Sequence, residues 1–169
     1  MSFNKILIAN RGEIAVRIMR TAHALGYETV AVFSQADAQA PHVQMADQAV
    51  YLGASDVAQS YLHIERILSA ANRTGADAIH PGYGFLSENA DFAQRCLDAN
   101  LTWIGPPPSA MRIMGNKAGA KALMAQAGVP CVPGYAGIEQ SDAAFMAAAQ
   151  AIGYPVMVKA ASGGGGRGM

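Results

Sequence analysis

The sequence predicts an α/β protein built on a doubly wound parallel sheet. Short apolar segments alternate with segments of helical periodicity through the first hundred residues. Strand, helix and strand at this pitch are typical of parallel sheets with helices on both faces. Hydrophobic residues make up 51% of the 169-residue chain, which is enough for a sizeable core and excludes wholesale disorder.

The predicted strands are continuous apolar runs, as expected of strands that are buried on both faces. They cover residues 6–9, 29–33, 49–52, 76–79 and 101–104. The predicted helices between them repeat apolar residues every three or four positions and cover 14–25, 61–73 and 90–99. Gly26 and Gly75 follow the first two helices, where glycine commonly ends a helix.

The run Pro106-Pro107-Pro108 marks a boundary, because proline continues neither a helix nor a central strand. We therefore expect one domain at residues 1–110 and the start of a second at 111–169. Helices are predicted at 109–114, 117–127 and 142–152, the last of them capped by Ser141. A final strand is predicted at 155–160.

The charge balance excludes several partners. Twelve basic and twelve acidic side chains cancel, and charged residues make up only 14% of the chain. No overall field attracts nucleic acid or an anionic membrane, so neither partner is expected. No apolar run approaches the length of a signal peptide or a membrane span, which predicts a soluble, cytoplasmic protein. Cys96 and Cys131 fit no metal-ligand spacing and are expected to be small buried hydrophobes.

Ligands of such sheets bind beyond the carboxyl ends of the strands, which here are followed by the segments 10–13, 80–89 and 105–109. The loop 80–89 presents His80, Tyr83 and Glu88, and its proline and glycines specify its backbone. A single histidine there is more often structural than catalytic, and no catalytic triad or metal cluster is recognisable.

The remaining histidines and the first turn predict little chemistry. His23, His42 and His63 are interpreted as helix-surface or loop residues. The turn 10–13 contains one glycine, which disfavours a dinucleotide site after the first strand. Arg11 and Glu13 are expected to form an ion pair or a helix cap there.

The glycine-rich end of the chain predicts a phosphate site. Residues 163–166 are four consecutive glycines, whose backbone N–H groups can wrap a polyphosphate without steric hindrance. A flexible linker is the alternative. Lys159 is either a solvated strand residue or a charge for a phosphate. Lys117 lies near a helix N-terminus, which favours an anion, although an exposed helix lysine is the ordinary interpretation.

Together these segments resemble the biotin carboxylase component of biotin-dependent carboxylases. The matching stretches are 8–15, 80–90, 104–106, 114–117, 128–130 and 163–169. The resemblance implies a ligase in which ATP and bicarbonate give carboxyphosphate, whose CO₂ is transferred to biotin on a carrier. It also implies a Rossmann-like N-terminal domain followed by the start of an ATP-grasp domain, truncated in its glycine-rich loop.

Residue roles follow from the resemblance alone. It implies that Lys117, Lys159, Gly165 and Gly166 contact ATP and that Tyr83 lies near biotin. It places the ligands of Mg²⁺ or Mn²⁺ and all catalytic residues outside this chain, so the chain alone is expected to be inactive.

The resemblance also implies partners. These are a biotin carboxyl carrier domain, a carboxyltransferase subunit and a second copy of the full-length protein, whose contact lies near the helix that carries Arg17 and Arg20. The acyl-CoA is expected to be geranyl-, methylcrotonyl-, propionyl- or acetyl-CoA. The segments 133–135 and 161–163 favour a branched or terpenoid one.

Two alternatives stay open at this point. One is a Rossmann-type nucleotide-binding module of a dehydrogenase or of another ATP-grasp enzyme, against which the missing first-turn glycines argue. The other is a non-catalytic binding or assembly module.

Overall fold

The computed structural model describes residues 3–135 and 137–159. The chain forms two compact units, Met1–Met111 and Arg112–Met169.

The first unit contains a five-stranded, fully parallel sheet, which confirms the predicted fold class. Its strands are β1 (Lys5–Ile8), β2 (Glu28–Ser34), β3 (Gln48–Gly53), β4 (Ala78–His80) and β5 (Thr102–Trp103). Their order is β3-β2-β1-β4-β5. The chain winds outward from β1 in one direction and then continues on its other side at β4. Ligands of such sheets bind at this reversal.

Helices connect the strands of the first unit. They are α1 (Gly12–Ala24), α2 (Pro41–Met45), α3 (Ile64–Thr74) and α4 (Ala90–Asp98), followed by α5 (Pro108–Gly115). The predicted helix 61–73 begins three residues late, because Tyr61 is packed into the core from the turn that precedes α3. Helix α2 has no counterpart in the sequence prediction, because five residues are too few to show helical periodicity.

Side chains alternate between the two faces of the sheet and form two apolar layers. On one face Leu7 and Val30 pack with residues of α3 and α4, and Phe92 meets Trp103 edge-on at a ring-centroid distance of 5.4 Å. On the other face Ile6, Ile8 and Ala31 pack against α1. Each fully buried large aliphatic side chain stabilises the unit by roughly 1.5–3 kcal/mol relative to an exposed one.

Beyond the last residues of α5, the described part of the second unit contains two helices, α6 (Lys117–Gln126) and α7 (Asp142–Ile152). Asn116 caps the first, where its side chain accepts a hydrogen bond from the Gly119 amide at 2.9 Å. Ser141 caps the second as predicted, with its Oγ 3.3 Å from the amide nitrogen of Ala144.

The predicted strand at 155–160 is wrong over its described part, because residues 155–159 are irregular and exposed. A strand must pair its backbone N–H and C=O groups with a neighbour. The described residues of the second unit include no other strand with which it could pair.

The two cysteines differ. Cys96 is buried in α4, and burial raises the pKa of its thiol to about 12. Cys131 is exposed, contrary to the prediction. It lies in an irregular segment after α6, and none of the described residues from 112 onward is buried.

Candidate functional site

The carboxyl ends of β1 and β4 lie side by side at the reversal of strand order. Ile8 is in register with His80, and the amide of Ala9 donates to the carbonyl of His80 at 2.9 Å. The segments 10–13 and 80–89 therefore leave the sheet together, as the sequence predicts.

Asn10 joins these two segments. Its side chain is almost fully buried, at 1% exposure. Its Nδ2 donates to the carbonyls of Pro81 and Tyr83, each at 2.8 Å, and its Oδ1 accepts from the Arg11 amide at 2.9 Å. Both N–H groups of the amide and its oxygen are therefore hydrogen-bonded, as burial of a polar group requires.

The loop 80–89 depends on a glycine that touches this amide. Gly82 has φ +66°, in the left-handed region, and a Cβ added there would lie 2.7 Å from Asn10 Nδ2 and 3.0 Å from Ile14 Cγ2. Residue 82 must be glycine for both reasons. Its amide donates to His80 Nδ1 at 3.0 Å.

His80 has the structural role that the sequence favoured over a catalytic one. Burial lowers the pKa of its imidazole, so the ring is neutral at physiological pH and its Nδ1 is free to accept from Gly82. At the far end of the loop, Asn89 caps α4 by accepting from the Phe92 amide at 2.8 Å. Tyr83, by contrast, is 61% exposed.

A second contact holds the loop beyond Tyr83. The ring of Phe85 stacks on that of Tyr61 with a centroid distance of 5.1 Å and an interplanar angle of 13°. Tyr61 donates its hydroxyl to Asp37 Oδ2 at 2.7 Å and accepts from the Ser34 amide at 3.0 Å. The stacked ring is therefore anchored to the carboxyl end of β2.

Asp37 has two partners besides Tyr61: the Ser34 hydroxyl, which donates to its Oδ2 at 2.9 Å, and Arg11. The Nη1 of Arg11 lies 3.2 Å from Asp37 Oδ1, in an ion pair that spans 26 residues. The expected ion pair or helix cap of Arg11 and Glu13 is therefore wrong for Arg11, whose side chain also makes no capping hydrogen bond. Burial works to raise the pKa of Asp37, but hydrogen bonds from Tyr61 and Ser34 and the charge of Arg11 together lower it. Burial and the hydrogen bond to Asp37 raise the pKa of Tyr61 to about 12.

His42 is the residue that sequence reasoning misplaced. It is completely buried rather than on a surface or loop. Its Nδ1 accepts from the Gly12 amide at 3.3 Å and its Nε2 faces the carbonyl of Val32, also at 3.3 Å. Burial lowers the pKa of His42, which is therefore a neutral link between the first turn of α1 and β2. Pro41, a residue typical of a first helical turn, was the only sequence signal for α2.

A shallow groove of about 540 Å³ lies between α1 and α2. Its lining residues are Gly12, Glu13, Val16, Arg17, Arg20 and Pro41. Arg17 and Arg20, which the resemblance associates with self-association, are therefore both accessible from this face.

The predicted nucleotide residues are described only in part. Lys117 is the first residue of α6, and Lys159 is exposed in the irregular segment after α7. Gly165 and Gly166 lie outside the described residues. Within residues 3–135 and 137–159, no group of three or more His, Cys, Asp and Glu side chains could hold a metal ion. Over the same part of the chain, no helix has the length and apolar character needed to cross a membrane.

Known protein families match both parts of the chain. The model of the biotin carboxylase N-terminal domain matches residues 2–111. The chain belongs to this family. The ATP-binding domain of the carbamoyl-phosphate synthase L chain matches residues 116–169. The predicted resemblance to the biotin carboxylase family is confirmed, and so is the start of an ATP-grasp domain after the Rossmann-like domain.

Curated relatives match along nearly the full chain. The mitochondrial methylcrotonoyl-CoA carboxylase subunit alpha of Oryza sativa subsp. japonica is 59% identical over 165 residues, which are 98% of this chain and 22% of the relative. The biotin carboxylase of Nostoc sp. is 55% identical over 169 residues, which are 100% of this chain and 38% of the relative. The chain thus spans well under half the length of these relatives.

Solved structures share the fold. A biotin carboxylase from Campylobacter jejuni, described as a complex with β,γ-ATP, superposes with a TM-score of 0.93 at 46% identity and covers 98% of this chain and 37% of that one. The biotin carboxylase domain of the Hydrogenobacter thermophilus 2-oxoglutarate carboxylase, a dimer with MgADP, ADP and bicarbonate, gives a TM-score of 0.91 at 47% identity and covers 99% and 37%.

Proposed function

We propose that this chain supplies the N-terminal domain and the first part of the ATP-grasp domain of a biotin carboxylase. The whole enzyme would use ATP and bicarbonate to carboxylate biotin on a carrier domain. The observation that carries the proposal is the match of two successive family segments, at residues 2–111 and 116–169, in the order found in the relatives named biotin carboxylase. The domain boundary falls between residues 110 and 111 in this proposal.

The second segment, residues 116–169, is assigned to ATP binding. Lys117 and Lys159 supply positive charge for the phosphates, and Gly165 and Gly166 supply backbone N–H groups at close approach. Support comes from the two related structures, which are complexes with β,γ-ATP and with MgADP. Mg²⁺ or Mn²⁺ would bridge the phosphates through ligands elsewhere in the longer protein. Catalytic residues also lie outside this chain, so residues 1–169 alone should not turn over ATP.

The binding of biotin is assigned to the first unit in this proposal. Tyr83 is the exposed aromatic ring of the loop 80–89, at the edge where parallel sheets bind ligands. Its ring offers biotin an apolar face and a hydroxyl group, a combination suited to a ligand with both apolar and polar surfaces.

Three partners complete the proposal. The carrier domain brings biotin, a carboxyltransferase subunit uses the carboxylated product, and a second copy of the protein packs near Arg17 and Arg20. The dimeric state of the Hydrogenobacter thermophilus relative supports the last of these. The cytoplasmic location expected from the sequence stays a prediction, and several relatives are named as mitochondrial.

The acyl-CoA is proposed to be branched, methylcrotonyl- or geranyl-CoA, in preference to propionyl- or acetyl-CoA. The names of several alpha-subunit relatives support a methylcrotonyl-type substrate. Because the carboxyltransferase selects the acyl-CoA, the test is a substrate panel with the assembled complex. Exclusive turnover of acetyl-CoA would contradict the assignment.

The decisive experiment measures ATP hydrolysis by the full-length protein with bicarbonate, in the presence and absence of biotin. Biotin or a biotinylated carrier should stimulate hydrolysis and give carboxybiotin. The absence of any stimulation by either form would refute the carboxylase proposal. Binding of a nicotinamide cofactor is measured in the same preparation. Its absence would exclude the dehydrogenase alternative.

A further inference from the structure

We infer that Asn10 is the positioning residue of the loop 80–89, and that its side-chain amide fixes the position of the Tyr83 backbone. The inference rests on the proposed function in one respect, that the ligand taken by Tyr83 is biotin. The geometric part concerns only residues of the first unit.

The amide holds the loop at two adjacent points. Asn10 Nδ2 donates to the carbonyls of Pro81 and Tyr83, which lie on either side of Gly82. These two bonds fix the peptide groups that precede Gly82 and follow Tyr83. The backbone of Tyr83 is therefore anchored directly, while its ring stays 61% exposed.

The amide itself cannot rotate away. Its Oδ1 accepts from the Arg11 amide at 2.9 Å, and the side chain is 1% exposed at the end of a central strand. Asparagine alone among similar side chains meets these needs. Aspartate has no N–H group to donate, serine has one donor, and glutamine is longer by a methylene.

Close packing at Gly82 makes the position of the loop sensitive to small changes. A Cβ at residue 82 would meet Asn10 Nδ2 at 2.7 Å and Asn10 Cγ at 3.0 Å. Separations below 3.0 Å force one of the two groups to move. The amide and the loop therefore fit in one arrangement, with no room for a side chain between them.

A change at Asn10 should act locally. Phe85 stays stacked on Tyr61, and Asn89 stays bound to α4 through the Phe92 amide. The far part of the loop thus keeps its place when the bonds to Pro81 and Tyr83 are lost. Neither of the lost bonds involves a residue assigned to ATP, so a positioning role predicts an effect on biotin and not on ATP.

The test is Asn10→Ala in the full-length protein, with separate KM values for biotin and ATP. We expect the KM for biotin to rise about tenfold, the order of effect for lost buried hydrogen bonds, and the KM for ATP to stay within about twofold. An unchanged KM for biotin, or an equal rise in both constants, would overturn the inference. Asn72→Ala, at an exposed position of α3, is the matched control and should change neither constant.

A second readout does not depend on activity. In residues 1–169, amide hydrogen exchange should become faster at Gly82 in Asn10→Ala, while amides of β1 and β2 stay protected. Unchanged exchange at Gly82 would refute the positioning role even if the wild-type enzyme carboxylates biotin. A wild-type enzyme without biotin-dependent activity would instead refute the proposed function and leave this readout to decide the inference.

Gly82→Ala disturbs the same contact between residue 82 and the Asn10 amide, and it tests the inference if Asn10→Ala fails to fold. The added methyl group displaces either the Asn10 amide or the loop. The same selective rise in the KM for biotin is expected. Wild-type constants for both substrates in this variant would show that Tyr83 needs no such positioning.

Discussion

His42 and Gly12 are joined by a partly buried hydrogen bond in the first unit, from the Gly12 amide to the His42 Nδ1 at 3.3 Å. Helix α1 begins at Gly12, and the side chain of its N-cap residue Arg11 makes no capping hydrogen bond. A buried imidazole from a five-residue helix therefore satisfies one of the four free amides at the start of α1.

We expect His42→Ala to destabilise the first unit by about 2–4 kcal/mol. The variant leaves a cavity and removes the partners of the Gly12 amide and the Val32 carbonyl. Urea unfolding of residues 1–169, followed by far-UV circular dichroism, measures the loss. His63→Ala, at the half-buried N-cap of α3 with no capping hydrogen bond, should cost less than half as much. Equal losses would contradict the role of His42.

Stability should also depend on pH through His42 and His80. Burial lowers the pKa of both below the ordinary value of 6.5, so the unfolded chain binds protons that the folded chain does not. This contribution is fully present above pH 6.5 and is lost as the pH falls from there through the lower folded values. His42→Gln should flatten the curve of unfolding free energy against pH in that window. A slope identical to that of the wild type would disprove the contribution of His42.

Tyr61→Phe isolates the hydroxyl that Asp37 and Ser34 share. The variant retains the stack on Phe85 but leaves a Ser34 amide without its acceptor and removes a hydrogen bond to Asp37. A loss of about 1–3 kcal/mol is expected. Tyr51→Phe, at an exposed ring that is 54% accessible, is the control and should be near neutral. Thermal unfolding of both variants measures the difference.

Asp37→Asn should remove part of the loss of stability that the first unit shows in acid. The pKa of Asp37 is held below 3.8 by partners present only in the folded chain. Its stabilising contribution is present above that value and is lost as the pH falls through the lower folded value. The variant should therefore be less stable than the wild type at neutral pH, with the gap narrowing below pH 3.8. A constant gap across the acid range would exclude this account.

Lys159→Ala tests the nucleotide assignment in the full-length enzyme. Lys159 is exposed, so its loss should hardly change the melting temperature. If it binds a phosphate, the KM for ATP should rise about tenfold or more, since hydrogen bonds to charged groups contribute about 1.5–3 kcal/mol. Lys121→Ala in α6 is the matched control. An unaltered KM for ATP would refute the assigned role.

The sequence predicts what depends on local pattern. The alternation of apolar runs with helical periodicity is enough to place the five strands, and the family segments locate the loop 80–89. Gly75 ends α3 in the left-handed conformation with φ +66°, as its position suggests.

What the sequence leaves out depends on contacts between distant residues. Nothing near Arg11 indicates that its partner is Asp37, and nothing near His42 indicates burial. The predicted strand at 155–160 has strong β propensity in Val156 and Val158, but propensity alone does not form a strand without a neighbour. Asn10 is missed for the same reason, because its contacts with the loop 80–89 become evident only when β4 is placed beside β1.

The span of the Asn10 contacts also affects the order in which the first unit folds. Asn10 and its two acceptors are separated by 71 and 73 residues, and β1 pairs with β4 over a similar distance. Contacts of such long range form slowly, because a large loop must close before they give any stabilisation. The loop around Tyr83 should therefore reach its final shape late in refolding, after β1 and β2 have paired.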